Sequence, residues 1–125
     1  MKGDNIANRL LEFAVAVLGV AEDIAKVKTR AGRHVESQLI RSATAGGAHY
    51  AEARRGESAA DFAHKVLVAA KETGESAYWL KVAQRARLIK ESRDVCPLIR
   101  EANELTAILA ASARTARTNA KPPKA

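Results

Sequence analysis

Lys26, Lys28, Arg30 and Arg33 crowd one short stretch of the chain, and Lys81, Arg85, Arg87, Lys90 and Arg93 crowd another. Such clusters can do one chemistry without further machinery. They neutralise phosphate oxygens, with an affinity that ignores base sequence and falls steeply with salt. The competing reading is plainer: basic residues near helix C-termini complement the negative end of the helix dipole and keep a protein in solution. A third basic group, Arg114, Arg117, Lys121 and Lys124, sits near the end of the chain, where a charged tail is ordinarily only solvated.

Other reactive types are present but poorly arranged for catalysis. His49 and Glu52 are three apart, and His64 follows at a distance. Di-iron bundles use Glu-x-x-His on two helices plus two further glutamates; here the order is reversed and occurs once, so no metal site is expected. Glu72 and Glu75 are also three apart, beside an apolar stripe, and Arg41 falls where it could reach them. Paired carboxylates can serve as acid and base, but they need a pocket and a positioned nucleophile. A half-buried carboxylate needs a partner in any case. An Arg41–Glu75 or Arg41–Glu72 ion pair that fixes helix register is therefore expected. Cys96 falls early in a helix, where thiol pKa values drop, but no Cys/His pair accompanies it. Tyr78-Trp79 offers ring surface for stacking, although its spacing beside Leu80 and Val82 suits core or subunit packing better. No catalytic residue and no cofactor are expected, and the chain does not read as an enzyme.

The chain is 125 residues long, 47% hydrophobic, with one cysteine, seven glycines and three prolines. That is one domain of chain with enough apolar content for a core. One cysteine excludes a disulfide framework and a four-cysteine zinc site. The net charge of +7 permits an anionic partner without requiring one. Phe13–Ala21 superficially resembles the apolar part of a secretion signal. Asp4 and Glu12 break the charge pattern, and the apolar spacing runs on to Ile24 and Val27. The run is too short to span a membrane, which takes about 20 apolar residues. A cytoplasmic protein without membrane contact is expected.

The elements that must position these residues are helices. Ile6, Leu10, Phe13, Val17, Val20, Ile24 and Val27 are spaced alternately four and three, the seam of a helix packed nearly parallel to its neighbours. This predicts helix 1 from Asp4, as N-cap, to about Lys28. A second apolar stripe, Ala7, Leu11, Ala14, Leu18, Ala21 and Ala25, widens its face. Deep burial within one bundle and packing against another subunit both account for that width. After a basic turn at Thr29–Gly32, helix 2 is expected over Arg33–Arg54, with Val35, Leu39, Ala43, Gly46, Tyr50 and Ala53 on one face. Gly46-Gly47 inside it implies close backbone approach or a kink. Ser58 and Asp61 resemble a capping box opening helix 3, which carries Phe62, Val66, Ala69, Thr73, Leu80 and Ala83. Ser92 is the expected cap of helix 4, with Asp94 in its first turn and Val95, Leu98, Ala102, Leu105, Leu109 and Ala116 inward.

Four helices joined by short turns predict an all-α, antiparallel up-down-up-down four-helix bundle over residues 4–117, with a disordered basic tail at 118–125. In that topology the helix 1–2 and helix 3–4 turns share one end. The nine basic residues named first would then gather there, and self-association would multiply their field. The C-terminal basic group would lie at the other end.

Gln38-Leu39-Ile40-Arg41-Ser42 followed by Gly47-Ala48-His49-Tyr50-Ala51-Glu52-Ala53 resembles the second-helix signature of the four helix bundle proteins encoded by intervening sequences in 23S ribosomal RNA genes. Ser58, Asp61-Phe62, His64-Lys65, Lys71-Glu72, Glu75-Ser76 and Tyr78-Trp79-Leu80 continue the likeness, as do Glu101, Glu104-Leu105 and Ile108. It spans about residues 35–110 and is weaker over helix 1. Gly46-Gly47 departs from it where many relatives carry proline. The resemblance implies a homopentameric ring. Its better understood relatives, the accessory variability determinants of diversity-generating retroelements, imply a basic barrel that binds nucleic acid and a reverse transcriptase. The expected function is thus a self-assembling, non-enzymatic bundle presenting basic surface to RNA or DNA. The alternative is a scaffold that docks a protein such as a reverse transcriptase without touching nucleic acid.

Overall fold

The computed structural model describes residues 3–120. It contains α1 (Asp4–Ala25), α2 (Arg30–Ala53), α3 (Ala59–Arg85) and α4 (Cys96–Ala120), with no strand among the described residues. Facing residues fix the topology. Gly47 lies on Leu10 and Gly32 on Ile24, Ser76 bonds Ser42, Gly74 lies on Thr106, and Arg9 bonds Glu101. Gly46 faces Thr73, Gln84 bonds Cys96 and Asp23 meets Arg93 just before α4, so residue numbers rise in opposite senses in each neighbouring pair and the four helices form an antiparallel up-down-up-down bundle. α1 packs broadly on α2 and meets α4 only along a narrow strip; α3 packs broadly on both α2 and α4.

The caps explain where the helices begin. Thr29 accepts from the Gly32 N–H at 3.0 Å, so α2 starts at Arg30, inside the stretch expected as turn. Ser58 accepts from the Asp61 N–H at 3.1 Å and opens α3. Two cap expectations are corrected. Gly3, in a left-handed conformation with φ 91°, precedes α1, and Asp4 is its first residue, paired with Arg54 at 2.5 Å. At α4, Asp94 rather than Ser92 accepts from the Cys96 N–H, at 3.0 Å. α1 ends at Ala25, short of Lys28, so Val27 falls outside the seam and is exposed. α4 runs through Thr118 and Asn119 to Ala120, into the stretch expected as tail; the rest of that tail lies outside the described residues.

Leu10, Phe13, Val17, Val20, Ile24, Leu39, Val66, Leu80, Leu105 and Leu109 fill the core. The α2–α3 seam is different in kind. It is built from Ser42, Ala43, Gly46, Ala69, Thr73, Ser76 and Ala77, all buried. Small side chains let two helices approach closely, and their hydroxyls must then find partners indoors. They do: Ser76 donates to Ser42 at 3.0 Å, Ser42 to the Leu39 carbonyl at 3.3 Å, and Thr73 to the Ala69 carbonyl at 2.8 Å. No buried side-chain polar atom among the described residues lacks a partner. Gly46 is the point of closest approach. A Cβ there would lie 2.4 Å from the Thr73 hydroxyl oxygen, whereas a Cβ at Gly47 would meet Leu10 at an ordinary 3.6 Å. Of the two expectations for the pair, close approach at Gly46 is the one realised, within an α2 that is one continuous helix.

Candidate nucleic-acid interface

The two basic turns meet at one end of the bundle. The link between them is Asp23 on α1, which is 7% exposed. Its carboxylate accepts from the Arg93 guanidinium, and Lys90 at 3.9 Å and Lys26 at 3.8 Å stand beside it. Arg93 reaches Asp23 from the α3–α4 loop across α1, passing close over Gly19. The Arg93 hydrogen bond holds the Asp23 carboxyl below the usual carboxylate range; burial opposes this, and Lys90 and Lys26 add to it. Asp23 sets a buried negative charge among the basic residues of this end. It draws Arg93 into a structural pair and part of the field of Lys90 and Lys26 with it.

Lys28, Arg30, Arg33, Lys81, Arg85 and Arg87 are all exposed. Lys81 lies a full turn up α3 from the others, on the flank of the bundle. Arg87, Lys90 and Arg93 border an open cleft of about 600 Å³, together with Gln84, Ile89, Glu91, Asp94 and Val95. Two of the basic residues adopt backbone conformations that side chains seldom take. Lys28 has φ 57° and Arg87 has φ 58°, in the left-handed region. Arg87 occupies the left-handed position of a Schellman ending: its N–H donates to the Gln84 carbonyl at 3.1 Å and the Leu88 N–H to the Ala83 carbonyl at 2.9 Å. Glycine is the usual occupant of that position, and a residue with a Cβ costs roughly 1 kcal/mol or more there.

Arg41 reaches both acidic partners at once, Glu72 at 2.6 Å and Glu75 at 2.5 Å, and so straps α2 to α3. Arg41 holds the Glu75 carboxyl below its ordinary range; burial opposes, and the Trp79 indole, 3.4 Å away, contributes. Sequence reasoning missed a second strap. Arg9 on α1 bonds Glu101 through two nitrogens, at 2.6 and 2.9 Å, and stands 3.0 Å from Glu104, both on α4. Arg9 holds the Glu101 carboxyl below its usual range against the effect of burial. The signal was available in kind, since Arg9 sits beside the α1 stripe, but its partners are 92 residues away.

The histidines do not converge. His64 is exposed and His49 half-buried, and no group of three or more His, Cys, Asp or Glu among the described residues could hold a metal. Cys96 is exposed, and its sulfur accepts from the Gln84 amide at 3.6 Å. At the opposite end, Gly3, Tyr50, Arg54, Phe62, Thr115 and Asn119 help line a cleft of about 670 Å³. Along α1, the second stripe divides: Ala21 is buried, but Leu11 is 59% and Leu18 41% exposed, and Val15 beside them is 57% exposed. The bundle's own core therefore leaves this part of the wide face uncovered. No described helix is long and apolar enough to cross a membrane.

A one-domain antiparallel bundle with straps at its seams and basic turns collected at one end is a recognisable class of small helical protein. Residues 5–111 match the 23S rRNA-intervening sequence protein family, and the chain belongs to that family. A solved relative is the crystal structure, at 1.70 Å, of a protein of unknown function from the S23 ribosomal protein family of Bacteroides thetaiotaomicron VPI-5482. It is 27% identical, superposes with a TM-score of 0.78, and the match covers 91% of this chain and 99% of that one. No curated protein matches.

Proposed function

We propose that this protein is a non-enzymatic, self-assembling helical bundle, a homopentamer by family resemblance, whose basic end binds the phosphate backbone of RNA or DNA. The observation that carries the reading is Arg87. Dipole compensation and solubility require only that a cation lie somewhere near a helix end. They give no reason to hold arginine at a left-handed position that glycine fills without strain. Lys28 repeats the arrangement at the neighbouring turn. Strain retained at a surface position is a pointer to function.

Salt-titrated binding of generic RNA and DNA tests this. Affinity should fall steeply with salt, and Arg85/Arg87→Glu should weaken it at least tenfold and flatten the salt slope. Arg87→Gly is the sharper probe. It should raise stability by about 0.5–1 kcal/mol, measured by urea unfolding, while lowering affinity. Affinity unchanged in this variant would remove the argument from strain. A lack of binding even at low salt would favour the scaffold reading, in which the bundle docks a protein such as a reverse transcriptase.

Self-assembly is supported by Leu11, Val15 and Leu18, an apolar row on the outer face of α1. Contiguous exposed apolar surface marks interaction sites. Leu11→Glu with Val15→Glu should reduce the solution mass by light scattering to that of one 13.4 kDa chain, with helicity retained. A wild-type protein that is monomeric in dilute buffer would sink this half of the proposal.

A further inference from the structure

The chain has two Phe, two Tyr and one Trp. Phe13 and Tyr50 are buried in the core and Phe62 packs against it. The other two are consecutive on α3, and one of them, Tyr78, is 60% exposed. Trp79 bridges between α2 and α3. Its ring meets Tyr78 edge-on at 5.3 Å and 76°, and meets His34 of α2 edge-on at 5.6 Å and 76°. Three rings thus run across the α2–α3 seam on the outside of the bundle. Trp79, half-buried, anchors the row. An edge-on contact leaves the faces of the outer ring free.

The surroundings are cationic. On α3, Lys71, Tyr78 and Arg85 are seven residues apart and all exposed, so they share one face of the helix. On α2, Arg30 precedes His34 by one turn on the same face. The acidic neighbours, Glu72 and Glu75, share Arg41, which offsets one of their two charges. The row also begins beside the basic end, since Arg85 closes α3 and Arg30 opens α2.

We infer that His34, Trp79 and Tyr78 form a stacking platform for unpaired bases of a single-stranded nucleic acid, continuous with the phosphate-binding end. The inference rests on the proposed nucleic-acid reading and narrows its ligand. An aromatic ring flanked by cations at helical spacing suits a base on a phosphodiester strand, because the ring takes the base face while the cations take the phosphates. A duplex cannot use the ring, as its base faces are already covered. Base faces and phosphates are common to RNA and DNA, so the rings and cations suit an unpaired strand of either kind.

The test compares a single-stranded RNA oligonucleotide carrying one 2-aminopurine with the same sequence as a blunt RNA duplex and as single-stranded DNA. Tyr78→Ala should weaken single-strand RNA binding roughly tenfold, abolish the stacking change in 2-aminopurine fluorescence, and leave duplex affinity and the salt slope unaltered. Tyr78→Phe should behave as wild type. Tyr78 is exposed, so the variants keep their fold, which circular dichroism verifies. An equal loss for single strand and duplex, or no loss at all, would overturn the platform while the basic end still stood. A changed solution mass for Tyr78→Ala would place the ring in a subunit interface and overturn it too. A Tyr78→Ala effect confined to the RNA strand would assign the platform to RNA, and an equal effect on both strands to single strands of either kind. Binding of none of the three would end the underlying nucleic-acid reading as well.

Discussion

Gly46→Ala should lower the stability of the bundle by up to about 2 kcal/mol, and Gly47→Ala, one position along, should raise it by about 0.5–1 kcal/mol. Both substitutions gain roughly 1 kcal/mol of helix propensity, because glycine is the worse helix former. They differ in what the added methyl meets. At position 47 it touches Leu10 at an ordinary distance; at position 46 it would lie 2.4 Å from the Thr73 oxygen. That oxygen cannot simply turn away, since it is buried and donates to the Ala69 carbonyl. The helices must separate, and overpacking of this kind costs about 1–3 kcal/mol, which outweighs the propensity gain. Urea unfolding of the two single variants measures the contrast. Gly46→Ala combined with Thr73→Ala should recover much of the loss, since the two sites touch. Equal effects at 46 and 47 would mean that α2 and α3 are not in close contact at this point.

Asp23→Ala should cost about 1–2 kcal/mol, for a different reason. It leaves the Arg93 guanidinium on α1 without its partner and cuts the tie between the α3–α4 loop and the bundle. The pH dependence follows from linkage. The folded-state pKa of Asp23 is depressed, chiefly by Arg93. The contribution is therefore fully present above the unfolded pKa of about 3.9 and is lost as pH falls through the lower folded value. The stability gap between wild type and Asp23→Asn should be constant near neutrality and should close below about pH 4. A gap that closes between pH 5 and 7 would assign it to another group. The same variant releases Arg93 and Lys90, so RNA affinity should rise as stability falls. That opposite movement marks Asp23 as a brake on the basic end.

Much of the fold could be read from spacing alone. The apolar stripes name most core residues, because a period between 3.5 and 3.6 is a local property of sequence, but they pass over Ala63, Ala70, Ala77, Leu88 and Ala113, which are also buried. Val27 was misplaced because the stripe continues in sequence after the helix has ended; past Ala25 the chain tightens into a turn, with Lys26 and Val27 bonding back to Asp23 and Ile24, which apolar spacing does not encode. Asp94 displaced Ser92 as a cap because capping depends on where the loop delivers the chain. The basic end was legible from charge and topology together. Its restraint by Asp23 was not, since a single acid between Glu22 and Ile24 looks like part of a solvated face until the fold turns it inward. The Ser42–Ser76 contact was hidden for the same reason: two serines at separate places in the chain give no sign that they will meet.

The thin seam between α1 and α4 sets the order in which the bundle loosens. α1 packs broadly on α2 alone, whereas α3 is gripped by α2 on one side and α4 on the other. The helix with fewer neighbours opens at lower free energy. Amide hydrogens of α1 should therefore exchange with solvent sooner than those at the middle of α3.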